Sequence, residues 1–393
     1  KDRVRFYDEG DYLAIAQHLA HGQGFSIYGS TPTAFRAPGF PLLLGLVRTL
    51  GVPVTAARML NILLLAVAVL LAWMLAERVA GRAAAALAAL GVALSPLLVF
   101  TATTFYPETL AATLLVAAVL CAVHADAAPA PKSTWLFGVS GLLFSLLFLT
   151  VPSYGAAALI AVVWFVWRKR AALPAVALFI VLFLIPVGAW TIRNAADLDA
   201  FVPATTGGGV NLLLGNSANT GMDTGVNADI SHYTRIAKRR HLDEVELDEY
   251  YRSSATSYMK DHPGRTLALY VEKSLNYFNA ANRVATGSES SSGRNLIAAL
   301  TYYPLLILLL VRLLLAVRRR LPLSRAEALM VAIYLLMAPV MGIFFTRSRF
   351  RAPADVLLIV LVAVGIAKYV VARRTAAVES PPTVEAAVGA SGV

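Results

Sequence analysis

The chain has 393 residues, 58% of them hydrophobic and only 15% charged, and its mean hydropathy is +0.67. Soluble domains carry about 45–50% apolar and about 25% charged residues, so the composition argues against a soluble enzyme and for a polytopic membrane protein. Thirty-four Lys and Arg against 23 Asp and Glu give a net charge of +11, and the single cysteine, Cys121, excludes an intramolecular disulfide framework and a Cys-based metal site.

Residues 1–37 are polar and aromatic, begin without Met and show no signal-peptide pattern, so a hydrophobic span is expected to precede them. The apolar stretch from Pro38 to Leu50 has about 13 residues, which suits an interfacial or re-entrant helix. Candidate spans follow at 54–78, 82–101, 107–125, 134–150, 153–167, 172–192, 296–317, 324–345 and 353–372, each bounded by charges, Pro or Gly. Arg78, Arg82, Lys132, the runs Arg168-Lys169-Arg170 and Arg318-Arg319-Arg320, Arg325 and Arg373-Arg374 fall in alternate connections and, by the positive-inside rule, face the cytoplasm. Residues 1–37, 101–107, 193–294 and 346–352 then face outward. The long outer segment is almost charge-balanced, so the basic surplus belongs to membrane insertion and nucleic-acid binding is excluded. It is expected to form a lid with two parts. Gly207-Gly208-Gly209 opens a Gly/Thr/Asn-rich part as a turn or anion nest, and a charged helical part covers 231–278.

The expected organisation is a first extracytoplasmic loop at 1–53, about six spans over 54–192, a lid over 193–295, three spans over 296–372 and a disordered cytoplasmic tail over 373–393. There is no fixed-period repeat and no inverted pair of interrupted spans, which weighs against transport.

Ionisable residues are almost absent from the span centres and collect at their outer ends, which places a site at the depth of lipid phosphates. Acids that activate an acceptor hydroxyl, beside arginines that hold a phosphate leaving group, are the chemistry such a set supports. Asp8, Glu9 and Asp11 open an amphipathic stretch in which Tyr12 and Ala16 repeat the face of Asp8; the same acids suit a solvated helix N-terminus. Glu108 follows Tyr106-Pro107 at the start of a span, as a functional acid or a first-turn acid. Arg347, Arg349 and Arg351 stand on a short outer loop against the positive-inside bias. In an extended segment their alternate spacing aims all three to one side, toward a phosphate; snorkelling to headgroups is the other reading. Trp190-Thr191-Ile192-Arg193-Asn194 closes the span before the lid, with Trp190 as an interface anchor. His18 and His21 share a helical face that an interfacial polar surface explains, so no metal is assigned.

Taken in order, the segments 8–16, 21–25 (His-Gly-Gln-Gly-Phe), 35–41 (Phe-Arg-Ala-Pro-Gly-Phe-Pro), 106–108, 190–194, 208–216 (Gly-Gly-Val-Asn-Leu-Leu-Leu-Gly-Asn), 262–265 (His-Pro-Gly-Arg) and 347–353 (Arg-Ser-Arg-Phe-Arg-Ala-Pro) are distinctive. Together they resemble the dolichyl-phosphate-mannose protein mannosyltransferase-like family of GT-C membrane glycosyltransferases, which includes relatives of the aminoarabinose lipid A transferase. The resemblance covers nearly the whole chain. It implies an all-α polytopic GT-C bundle with a mixed extracytoplasmic loop domain. It also implies a multi-pass enzyme of the plasma (inner) membrane whose active site faces outside or the periplasm.

That enzyme would move a hexosyl or pentosyl group, with inversion, from a polyprenyl-phosphate carrier to a protein, lipid or glycan acceptor. The lipid-linked sugar is then a co-substrate, with no cofactor. By the same resemblance Asp8 is the base, Glu9 the second half of an Asp-Glu pair and Glu108 a positioning acid. Arg349 and Arg351, with Arg347, Arg36 and Arg193, would hold the carrier phosphate, and Tyr12, Asn194, Asn211 and Asn216 would position substrate. Two departures stand out: Val151-Pro152 replaces the family's frequent Arg-Pro, which removes an outer cation, and Phe350 replaces Tyr. A polyprenyl-lipid transporter or flippase and a catalytically degenerate assembly partner are the alternatives.

Overall fold

The computed structural model describes residues 6–167, 172–281 and 292–379. The first five residues, the Arg168-Lys169-Arg170 run, part of the lid at 282–291 and the tail from 380 lie outside the described residues. Among the described residues six helices are long and apolar enough to cross a membrane: Val54–Leu94, Glu108–Ala127, Leu173–Leu198, Ser292–Val317, Arg325–Gly342 and Ser348–Thr375. Lys132–Phe148 and Pro152–Val166 are shorter apolar helices packed among them. The chain is thus an all-α, multi-pass membrane protein, with no strand among the described residues. Helices satisfy their own backbone polar groups, and the apolar side chains that face outward, such as Leu63, Leu70, Leu159 and Ile185, are what a lipid solvent accepts.

The segments 54–78 and 82–101 belong to one apolar run that breaks at Ala80 and Gly81. Gly81 takes a φ of 81°, open to glycine and strained for a side chain. The two arms fold back on each other, because Asn61 Nδ2 donates to Thr104 O at 2.6 Å and to Tyr106 O at 3.2 Å. Inside the bundle the contact surfaces are small residues. Ala84, Ala85, Ala88, Ala111, Ala118 and Ala122 are fully buried, which lets the helices around Glu108–Ala127 approach closely.

Several boundaries differ from expectation. The Leu173–Leu198 helix runs on through Arg193 and Asn194, and Ser292–Val317 starts before residue 296. The last helix continues past Arg374 to Glu379, where a disordered tail was expected. It also begins at Ser348, so the segment carrying Arg349 and Arg351 is helical and not extended. Pro353 lies inside this helix, one turn beyond Arg349, where its missing N–H leaves the Arg349 carbonyl without its usual intrahelical donor.

The lid is built of the helices Gly208–Gly215, Ser231–Arg240, Glu244–Asp261 and Pro263–Asn276, joined by irregular segments. Asp243 caps its helix by accepting from Glu246 N at 2.9 Å, while Glu246 accepts from Asp243 N at 3.0 Å. Gly39–Thr49 packs as a short helix against Tyr7–Ala20.

The bundle has two polar ends. One carries Asp8, Arg36 and Arg349. At the other, Arg325 Nε pairs with Asp126 Oδ2 at 2.8 Å and Trp164 Nε1 donates to Arg325 O at 2.8 Å. Nearby, Glu327 is fully buried between Arg312 Nη2 at 2.7 Å and Lys368 Nζ at 2.6 Å. Removing one member of a buried ion pair strands its partners, at about 3–5 kcal/mol. Glu327→Ala is therefore expected to lower the thermal unfolding midpoint of the detergent-solubilised protein well below that of wild type. Glu327→Gln should fall between the two, and wild-type melting of both variants would refute the lock.

Candidate active site

The first helix, Tyr7–Ala20, starts beside the turn that precedes Glu108. Glu9, fully buried, accepts from Phe105 N at 2.9 Å and from Phe6 N at 3.3 Å, and so staples the helix start to that turn. Its neighbour Asp8 lies about 100° around the helix and faces a cavity instead. Asp8 Oδ1 accepts from Arg36 Nη2 at 2.8 Å, and Oδ2 accepts from Arg349 Nη2 at 2.9 Å. Arg36 also grips Asp11 Oδ2 through Nε at 3.0 Å and Nη2 at 2.7 Å. Arg349 lies with its Cζ 4.3 Å from the Tyr106 ring centroid and its Nε 3.7 Å from Glu108 Oε1. The Glu108 side chain is 5% exposed, and its Oε2 has no hydrogen-bond partner.

Burial pushes the Asp8 carboxyl up, but the charges and hydrogen bonds of Arg36 and Arg349 outweigh it and hold the group below the usual carboxylate range. Burial pushes the Tyr12 hydroxyl up to about 12, so Tyr12 stays neutral beside them.

Two cavities meet at this cluster. The first, of about 730 Å³, is lined by Asp8, Tyr12, Arg36, Glu108, Asn211 and Arg349 among others. The second, of about 590 Å³, has Arg294, Arg347, Arg349 and Arg351 at its polar end and an apolar wall that includes Leu94, Leu97, Leu305 and Ile359. Arg349 and Tyr106 line both.

Other predicted residues stand elsewhere. On the helix Arg351 points away from Arg349, into the bundle: Nε pairs with Asp355 Oδ1 at 2.9 Å, Nη1 donates to Tyr277 O and Asn279 O, and Cζ sits 3.6 Å from the Tyr302 ring centroid. Arg347, just before the helix, reaches only the second cavity. Arg193 braces the first loop, donating to Thr33 O at 2.7 Å and Phe25 O at 3.1 Å and pairing with Asp197 at 2.9 Å. Asn194 is fully buried and donates to Val202 O at 2.7 Å; Asn216 donates to Leu212 O and Ile343 O, each at 2.9 Å. Trp190 is buried and donates to Ala204 O at 2.8 Å, a packing role in place of interface anchoring. His18 and His21 hydrogen-bond locally, to Ser26 and to Gln17 O. Val151 and Phe350 line the first cavity.

Glu244, absent from the sequence expectations, also lines the first cavity. It opens a lid helix and accepts from Thr33 Oγ1 at 2.5 Å, Ala34 N at 2.7 Å and Thr206 Oγ1 at 2.6 Å, latching the lid to the first loop. Only its place in the first turn of a capped helix marked it in the sequence.

The segment before Arg349 is held by the lid. Fully buried Lys273 donates to Gly215 O at 2.7 Å, Phe344 O at 2.8 Å and Asn216 Oδ1 at 3.1 Å. Thr346 Oγ1 donates to Lys273 O at 3.1 Å and accepts from Asn276 Nδ2 at 3.0 Å. Gly215 sits where an added Cβ would run into the Phe344 carbonyl, so glycine is required for this approach. Burial pushes the Lys273 amine down to about 8, which still leaves an ammonium at neutral pH, with one acceptor for each of its three donors. Lys273→Met strands those acceptors at about 1–3 kcal/mol each. It should lower the melting midpoint and speed amide exchange over 343–348; unchanged protection there would refute the strut.

No protein-family model matches the chain, and no curated protein matches it by sequence. Solved structures do. The archaeal oligosaccharyltransferase AglB from Archaeoglobus fulgidus, in complex with an inhibitory peptide and a dolichol-phosphate, aligns with a TM-score of 0.57 at 16% identity, over 100% of this chain and 49% of that one. ArnT from Cupriavidus metallidurans aligns with TM-scores of 0.42 in the apo state and 0.43 bound to undecaprenyl phosphate. Identity is 14% in both, over 92% and 95% of this chain and 73% and 75% of that one. The chain spans about half the length of AglB. It shares the fold of that oligosaccharyltransferase, the all-helical multi-pass membrane fold that the GT-C resemblance implies.

Proposed function

We propose that the chain is a glycosyltransferase that moves a sugar from a polyprenyl-phosphate carrier to a hydroxyl-bearing extracytoplasmic acceptor, with inversion at the anomeric carbon. The observation that carries this reading is the position of Arg349, bonded to Asp8 and lining both cavities. The second cavity pairs arginines with an apolar wall, the chemistry of a phosphate on a long isoprenoid chain. The first offers a carboxylate to an acceptor hydroxyl. AglB was solved in complex with an inhibitory peptide and a dolichol-phosphate, in keeping with a fold that holds a lipid phosphate and a second ligand together. Arg318-Arg319-Arg320 and Arg373-Arg374 flank helices at the end away from Asp8, which supports a plasma (inner) membrane orientation with the site facing outside or the periplasm.

In the mechanism, the acceptor oxygen attacks the anomeric carbon from the side opposite the phosphate, the glycosyl C–O bond breaks, and the electron pair leaves with the carrier phosphate. Asp8 takes the hydroxyl proton; Arg349, positioned by Glu108 and Tyr106, stabilises the leaving charge. Both Asp8 oxygens accept from arginines, Oδ1 from Arg36 and Oδ2 from Arg349. A phosphate in the second cavity competes for Arg349 and frees Oδ2, so that donor binding switches on the base.

Wild-type protein is expected to retain polyprenyl phosphate in native mass spectrometry and Arg349→Ala to lose it, whereas Asp8→Asn keeps the lipid and loses about 10²–10⁴-fold in turnover. Absence of the lipid from wild type, even after its addition, refutes the reading. Protonation of Asp8 removes the base, so rates fall as pH drops through its pKa. In kcat/KM for the donor, which reports the free enzyme, that acid limb lies below the ordinary Asp value near 3.8. In kcat, with Arg349 drawn to phosphate, the limb should sit at higher pH; coincident limbs would rule out the switch.

A further inference from the structure

The two cavities carry opposite charge. Among the described residues lining the second, four guanidiniums face one carboxylate, Asp355. In the first, five carboxylates (Asp8, Asp11, Glu108, Asp243 and Glu244) face two guanidiniums, Arg36 and Arg349. Those two are already committed to Asp8 and Asp11. Glu244 takes its three hydrogen bonds from neutral donors, two threonine hydroxyls and a backbone amide. Asp243 caps a helix. Glu108, with a side chain 5% exposed, keeps an Oε2 that no hydrogen-bond donor reaches. That oxygen is closed off from solvent, so the cavity's surface is set by its other walls, which combine apolar side chains such as Val210, Leu214, Leu247 and Phe344 with Thr150, Ser153 and Asn211.

Resting on the transferase reading above, we infer that the first cavity selects an amphipathic hydroxyl acceptor that is uncharged or amine-bearing near the reacting hydroxyl, and rejects phosphorylated or carboxylated acceptors. An anionic acceptor would meet a cavity lined by more carboxylates than guanidiniums and would compete with the donor phosphate for Arg349. An amine instead meets the excess of carboxylates that line the cavity. Once the donor phosphate claims Arg349, the field in the first cavity turns more negative and the preference sharpens.

The test uses three matched probes, n-octyl glucosaminide, n-octyl glucoside and n-octyl glucuronide, below micellar concentration. Their binding to the full chain is measured with and without loaded polyprenyl phosphate. With several unit charges within about 10 Å, the glucosaminide should bind at least about tenfold more tightly than the glucuronide, with the glucoside between. That gap should shrink as salt is raised. In Asp243→Asn/Glu244→Gln, which keeps an N-capping side chain, it should shrink several-fold while polyprenyl phosphate retention shows that the fold persists. Equal binding of the three probes, tighter glucuronide binding, or a gap insensitive both to salt and to the double variant overturns the inference and leaves the transferase reading intact. Failure of wild type to retain polyprenyl phosphate sinks the transferase reading instead, and the probe order on lipid-free protein still decides the charge preference.

Discussion

The ion pair between Asp8 and Arg349 joins the start of the first helix to the start of the last, 341 residues apart in sequence, and the rest of the site is arranged around it. Both side chains are largely withdrawn from solvent, at 27% and 17% exposure. Charges so placed are tolerated only when their partners are held in position. Each side of the pair accordingly has its own scaffold. Glu9 fixes the first helix to the turn at Phe105, and Lys273 fixes the approach to Arg349 through three acceptors. Tyr154 finishes the job inside the bundle, donating to Phe350 O at 2.9 Å and accepting from Ala354 N at 3.2 Å, so that the first turn carrying Arg349 cannot rotate freely.

The same pair divides space. Tyr106 and Arg349 form a shared wall, with an acidic cavity on one side and a basic one on the other. Group transfer between two substrates needs such a wall, because the nucleophile and the leaving group require opposite electrostatics within a few ångströms of one carbon. Burial pushes the Tyr106 hydroxyl up, which keeps the ring neutral and leaves Arg349 as the charged element of the partition. In the proposed mechanism, a phosphate drawn toward that guanidinium weakens its hold on Asp8, and binding on one side thereby changes acidity on the other.

Much of this was legible in the sequence, and the reason is the solvent. A bilayer forces long apolar runs, so the all-helical, multi-pass class and the gathering of charged residues at helix ends follow from hydropathy, although nine spans were expected and six helices among the described residues are long and apolar enough to cross. Asp8, Arg36, Glu108 and Arg349 could be picked out because each stands in or beside a connection that the charge pattern predicts to face outward, where insertion does not require it. What the sequence does not encode locally is direction. Asp8 and Glu9 are adjacent carboxylates, and only the turn of the helix sends one to the cavity and the other to a backbone amide. Arg349 and Arg351 share a face in an extended strand and diverge on a helix, and whether six residues coil cannot be read from alternation. Glu244 was invisible for another reason: its partners, Thr33 and Ala34, are 211 and 210 residues away, and no periodicity reports such a contact.

Arg351 shows why a buried cation need not be functional in the chemical sense. Its guanidinium is 1% exposed, paired with Asp355 one turn along, bonded to two lid carbonyls and stacked on Tyr302. Arg349, by contrast, has one carboxylate partner, a second at 3.7 Å and a cavity on each side, whereas Arg351 borders the second cavity alone. The two arginines therefore divide the work that their shared motif suggests they duplicate. One anchors the lid to the last helix, in the manner of Arg312 and Arg325 at the opposite end, while the other stands between the Asp8 carboxylate and two cavities.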